Sequence, residues 1–174
     1  MEERKENAIW EFIKVIVVSL AIVLPVRIYI AQPFIVSGAS MEPNFYNGEY
    51  LIIDELTYEF RPPERGEVVV FRYPLNPSEF FIKRIVGLPK ETVEVKSGKI
   101  SINGVAFEEP YIENSPETLP DIKIMLDEGE YFVLGDNRPH SSDSRFWGAL
   151  PKEKIMGRAF LRLWPIAKSG FTTD

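Results

Sequence analysis

Apolar residues crowd the opening of the chain and then scatter into short alternating runs, so the pattern predicts one long helix followed by strands. Residues 15–26 (VIVVSLAIVLPV) carry no charge. That stretch alone is short for a membrane span, but apolar positions continue on both sides. Ala8, Ile9, Trp10, Phe12 and Ile13 precede it, and Ile28, Tyr29 and Ile30 follow. A span needs about 20 residues, and residues 9–30 supply them. Lys14 and Arg27 stand near the two ends, where long side chains snorkel, and Trp10 and Tyr29 suit the interfaces. Pro25 kinks the last turns, which a span tolerates. A buried core helix would need a helical partner, and no second strong helix follows. A cleavable signal peptide would place bulky Tyr29 badly in Tyr29-Ile30-Ala31. A retained anchor over residues 1–31 is therefore expected, ahead of a β-rich domain over residues 32–174. Arg4, Lys5 and Lys14 favour a cytoplasmic N-terminus, diluted by Glu2, Glu3, Glu6 and Glu11.

Gln32-Pro33 ends the helix, because proline disfavours helix in the residue before it. Strand-like runs follow at residues 50–53, 67–71, 80–86 and 92–96, then 99–102, 131–134 and 159–163. Ser97-Gly98 turns the chain, and Asn103-Gly104 is a strong hairpin signal. No parallel βαβ rhythm is visible, which predicts a mainly all-β fold of antiparallel sheets folded on each other. Residues 108–130 read as a long excursion with one short strand at 122–125, and nothing in them suggests chemistry.

Composition narrows the function classes. A net charge of -6 without a basic stripe argues against nucleic acid. The absence of cysteine excludes disulfides, thiolate metal sites and a cysteine nucleophile. One histidine, His140, excludes a multi-histidine metal site. No metal and no cofactor are expected.

The chemistry rests on Ser40 and Lys83. Ser40 follows the loop Ser37-Gly38-Ala39, just beyond the anchor. Lys83 lies in the apolar run Phe80-Phe81-Ile82-Lys83-Arg84-Ile85-Val86. In a strand both faces of that run are largely apolar. Each residue alone has an ordinary reading, a turn hydroxyl and an edge-strand lysine. Together they suit nucleophilic catalysis, because burial lowers a lysine pKa from about 10.4 towards a useful base. Residues 135–145 (GDNRPHSSDSR) follow an apolar strand and suit a hydrogen-bonded loop beside such a site, or an Asx-rich surface turn. His140 tempts a Ser-His-Asp triad with Asp143, but a histidine on a polar loop is usually just solvated.

With these residues in view, the chain resembles the bacterial type I signal peptidases across nearly its whole length. The resemblance rests on Pro33-Phe34 leading to Ser40-Met41-x-Pro43, and on Asp54 with residues 65–71 (RGEVVVF). It rests equally on residues 82–89 (IKRIVGLP), on Gly135-Asp136-Asn137-Arg138 with Ser141-x-Asp143-Ser144-Arg145, and on Trp147-Gly148 with Gly157-Arg158-Ala159. It implies a membrane-anchored serine endopeptidase, single-pass in the bacterial cytoplasmic membrane, with its catalytic domain outside. Its partners would be signal-peptide-bearing precursors, cut after small-x-small sites, and the lipid bilayer. Ser40 would be the nucleophile, Lys83 the general base, and Ser141 the hydroxyl that orients the amine. Asp143 and Arg145 would brace the site, and Gly135 would allow a close backbone approach. Phe34, Val36, Met41, Phe81 and Ile82 would wall the substrate groove. Some members carry a serine two residues before the nucleophile, completing the oxyanion hole. Here that position is Gly38, so the second donor is open. A membrane-tethered β domain that only binds peptides or envelope components is the alternative, and it would have no use for a buried lysine opposite Ser40. A self-cleaving repressor on a similar scaffold would carry a DNA-binding module and no anchor.

Overall fold

The computed structural model describes residues 2–29, 32–112 and 117–172, and within its first helix the side chains of residues 9–21 and 23. That helix, α1 (Glu2–Tyr29), runs without a glycine and meets its one proline near the end. Every described side chain from 9 to 21 is exposed, Trp10 and Phe12 among them. Among the described residues no helix is long and apolar enough to cross a membrane. The far end of the expected span, Ile30 with Ala31, lies outside them.

The chain continues as β1 (Gln32–Ile35), β2 (Tyr50–Asp54), one helical turn α2 (Thr57–Phe60), β3 (Val68–Arg72), β4 (Phe80–Gly87), β5 (Thr92–Lys96), β6 (Lys99–Ile102) and β7 (Val105–Ala106). Then come β8 (Ile122–Met125), β9 (Glu130–Leu134), a second turn α3 (Ser144–Trp147), β10 (Leu150–Pro151), β11 (Ile155–Trp164) and β12 (Gly170–Phe171). Among the described residues these strands form two antiparallel sheets. The larger runs β1-β2-β11-β3-β4-β9-β10, with β12 paired to β11, and the smaller runs β7-β6-β5-β8. The expected mainly-β architecture is what forms. Asn103 and Gly104 both take positive φ, 54° and 81°, as a two-residue hairpin turn needs.

β11 is longer than the alternation at 159–163 indicates. It starts at Ile155 and crosses Gly157, pairing with β3 on one side and β2 on the other through local register shifts. A Cβ on Gly157 would lie 2.5 Å from the Asp54 carbonyl, so the glycine permits the strand rather than breaking it.

β3 explains how the site gains a dry floor. Val68 and Val70 pack with Val36, Met41, Phe45, Leu51, Ile53 and Ala159, while Val69 and Phe71 pack with Ile85, Tyr131, Val133 and Leu150. Both faces are buried, as its unbroken apolar run requires. β4 lies beside it with Val69 opposite Lys83. β9 joins the other edge of β4 only from Arg84 onward. Residues 80–83 of β4 therefore have no strand on that edge among the described residues.

Candidate active site

β1 carries the chain into a tight turn that presents Ser40. The N–H of Val36 donates to the Glu49 carbonyl and that of Gly48 to the Val36 carbonyl, both at 2.9 Å, closing the base of the turn. Gly38 takes φ +90°, a conformation that disfavours any side chain, and its N–H donates to Asn47 Oδ1 at 2.9 Å. Met41 is then driven inward and is 1% exposed. It was expected in the groove wall, but the turn sends it into the core beneath, where it anchors its neighbour Ser40.

Lys83 reaches this turn from β4. Its Nζ lies 2.7 Å from Ser40 Oγ and donates to the Ile82 carbonyl at 2.8 Å. The residue is 4% exposed. Burial pulls its pKa down to about 8, against the carboxylates of Asp143 and Asp136, which favour the ammonium form. An amine held there, neutral near pH 8, can take the proton from the serine hydroxyl.

The loop after β9 supports both residues. Gly135 donates its N–H to Asp143 Oδ2 at 3.0 Å. Arg145 grips the same carboxylate with Nε and Nη2, each at 2.8 Å, and both side chains are buried. Asp143 also caps α3 by accepting from the Arg145 N–H. A Cβ on Gly135 would lie 2.5 Å from the Ser40 carbonyl and closer still to the Ser141 hydroxyl. Gly135→Ala should therefore cost about 1–3 kcal/mol of stability. Chemical denaturation checks this; an unchanged midpoint would show the close approach is not needed.

Ser141 is buried at 6% exposure, but its hydroxyl has no hydrogen-bond partner and makes no bond to Lys83. Its expected contact with the amine is absent from this geometry. His140 meets Asn137 Oδ1 through Nδ1 at 3.1 Å, and Asp143 is engaged by Arg145 and Gly135, so no Ser-His-Asp triad assembles.

A second layer of buried charge escaped the sequence pattern. Arg84, next to Lys83 and on the opposite face, makes two bonds to Asp136, at 3.0 and 2.9 Å, and one to the Gly66 carbonyl at 2.7 Å. Asn44 Nδ2 joins Asp136 to the Tyr111 carbonyl at 2.8 Å each, and Arg84 stacks 4.1 Å from the Tyr111 ring. Arg138 binds Glu109 and Thr118 Oγ1, and Arg145 donates to the Leu119 carbonyl. Glu109, Tyr111, Thr118 and Leu119, from the segment 108–130 read as free of chemistry, thus close over the arginines behind the site. Two arginines beside apolar strands were the available signal, since a buried cation demands a partner.

The groove in front of the pair has a volume of ≈ 450 Å³. Phe34, Val36, Phe81 and Ile82 line it, and Leu51 and Val70 add to the lining. It lies between two open strand edges, β1 and residues 80–83 of β4, whose Phe34 and Phe80 rings meet edge-on at 5.7 Å.

Known proteins similar to this chain fall in one family. Residues 9–164 match the family model described as signal peptidase, peptidase S26. A probable signal peptidase I-2 from Synechocystis sp. is 38% identical over 99% of this chain and 81% of its own length. Signal peptidase I from Leptolyngbya laminosa is 39% identical, over 97% of this chain and 86% of its own. A crystal structure of a signal peptidase I from Enterococcus faecalis aligns with TM-score 0.49 and 32% identity, covering 56% of this chain and 97% of that one.

Proposed function

We propose, because this chain belongs to the signal peptidase family (peptidase S26), that Ser40 and Lys83 are the nucleophile and general base with which it removes signal peptides. Enzymes named signal peptidase I are serine endopeptidases, and this protein is a hydrolase of that kind. The observation that carries the residue assignment is the 2.7 Å contact between a nearly buried lysine amine and a serine hydroxyl at the head of an apolar groove.

In this reading the neutral Lys83 amine takes the Ser40 proton as Oγ bonds to the scissile carbonyl carbon. The carbonyl oxygen becomes an oxyanion facing the Ser40 N–H, a type of donor worth roughly 3 kcal/mol. The Lys83 ammonium then protonates the leaving amine, and an ester on Ser40 remains. Water, deprotonated by Lys83, hydrolyses the ester. The unpaired Ser141 hydroxyl turns to the Lys83 amine when Oγ is acylated. Asp143, Arg145 and Gly135 keep the parts in register.

The substrate is a secretory precursor. Its cleavage segment lies extended between β1 and residues 80–83 of β4, adding a strand to an open edge. Phe34, Val36, Phe81 and Ile82 leave shallow room, which favours small side chains at the first and third positions before the cut. Residues 1–31 hold the domain of residues 32–174 to the bacterial cytoplasmic membrane, N-terminus inside and catalytic domain outside. Confining enzyme and precursor to one bilayer raises their effective concentration. Exposed Trp164, Ile166 and Phe171 rest on the lipid surface.

The test is incubation of the full chain in lipid vesicles with a secretory precursor, with mass spectrometry to locate the cut. A cut after a small-x-small site supports the reading; an intact precursor under conditions where a known signal peptidase cuts it would sink it. The pH profile is a second check. Only the deprotonated amine is a base, so kcat/KM should rise about tenfold per pH unit below a midpoint of about 8 and level off above it. A flat profile from pH 5 to 9 would exclude a lysine base.

A further inference from the structure

We propose that Asn137 aims the oxyanion-binding N–H of Ser40, an inference that rests on Ser40 being the nucleophile. Asn137 meets the nucleophile turn twice. Its main-chain N–H donates to the Ser40 carbonyl at 3.0 Å, and its side-chain Nδ2 donates to the Ala39 carbonyl at 3.0 Å. The Ala39 carbonyl and the Ser40 N–H belong to one trans peptide unit, so they point in opposite directions across a rigid plane. Pinning the oxygen on one side sets the direction of the hydrogen on the other. The Ala39 carbonyl also accepts from the Glu42 N–H at 3.2 Å, whereas the Ser40 N–H has no acceptor among the described residues. A fixed, unoccupied N–H beside the attacking oxygen is what an oxyanion site requires.

The surroundings hold Asn137 to this task. Its Oδ1 meets His140 Nδ1 at 3.1 Å, which keeps the amide edge with Nδ2 facing Ala39. The preceding Asp136 is locked by Arg84 and Asn44. Gly135 lets the Ser40 carbonyl come close enough to be held. The demand on Ser40 is greater in this chain because Gly38 has no hydroxyl and its N–H already donates to Asn47. Asn137 touches neither substrate nor reacting atoms, so it is a positioning residue.

Asn137→Asp tests this with little change in shape, since it sets an oxygen against the Ala39 carbonyl in place of a donor. On a signal-peptide substrate, kcat should fall about 10–100-fold while KM stays within about twofold. Two ligands separate aiming from mere support. A substrate-derived peptide aldehyde adds to Ser40: its carbonyl carbon bonds to Oγ, the serine proton passes to Lys83, and the oxygen becomes an oxyanion. The cleaved signal-peptide product binds the same groove without forming one. Aldehyde affinity should fall by about the same factor as kcat, with product affinity unchanged; the pH midpoint should move up in this variant, whose new carboxylate favours the Lys83 ammonium form, and stay in place in Asn137→Ala. Asn137→Ala, which keeps the main-chain contact, should show the same split. Unchanged kcat in both variants overturns the proposal. So does a parallel loss of product binding, aldehyde binding and melting temperature, which would mark a merely structural role. Ser40→Ala measured alongside keeps the two readings apart: turnover in that variant removes the nucleophile assignment, whatever Asn137 does.

Discussion

Lys83→Met should lower kcat by roughly four to six orders of magnitude and leave the domain folded. Removing one member of a nucleophile–base pair disables the whole step, so the loss is of the size seen when such units are broken. Methionine matches the length of the lysine stem and suits the apolar setting. It also removes a cost. A pKa drawn from 10.5 to about 8 corresponds to about 3 kcal/mol against holding the ammonium form in that cleft. The sign follows from proton binding. Between pH 8 and 10.5 the unfolded chain binds more protons at this residue than the folded one, so the cost is full below about pH 8 and gone above 10.5. The variant should therefore melt no lower than the parent at pH 7, and any gain should vanish at high pH. Ser40→Ala should match the loss of turnover. Measured turnover within about a hundredfold of the parent in either variant, or a clear fall in melting temperature for Lys83→Met, would contradict a buried lysine base.

Asp143→Ala should be the most damaging change to stability at the site, about 3–5 kcal/mol by chemical denaturation. The carboxylate is wholly buried, and removing it leaves the Arg145 guanidinium without its charge partner and the Gly135 N–H without its acceptor. The same substitution removes a charge that favours the Lys83 ammonium form, so the rising limb of any residual activity should move to lower pH. Asp143→Asn keeps the volume and part of the bonding and should lose less stability while showing the same direction of shift. A cost under about 1 kcal/mol, or a rising limb that moves to higher pH, would show that Asp143 does not act as placed here.

Most of the strands, and a lysine worth noticing, were legible along the chain because both depend on near neighbours. Residues 80–86 announce a strand by their side chains, and a lysine among them is conspicuous because apolar runs exclude charge. Asn103-Gly104 marks a hairpin because only residues tolerant of positive φ fit there. Resemblance supplied the rest of the site: Ser40, Ser141, Asp143, Arg145 and Gly135 sit in blocks whose spacing can be matched without coordinates. Other features depend on contacts between distant segments, and no local pattern encodes them. Met41 looks like a groove residue until the turn at Gly38 sends it inward. Ser141 looks like a partner for Lys83, yet its hydroxyl stands unpaired here. Arg84 and Asp136 are 52 positions apart, and Glu109 meets Arg138 from a segment with no periodicity at all. Chain pattern alone thus set most element types and singled out Lys83, since those follow from burial and backbone preference over a few residues. Tertiary structure alone decided which buried charges found each other and which way the Ser40 peptide points, since hydrogen bonds are satisfied only where the folded chain brings donor and acceptor together.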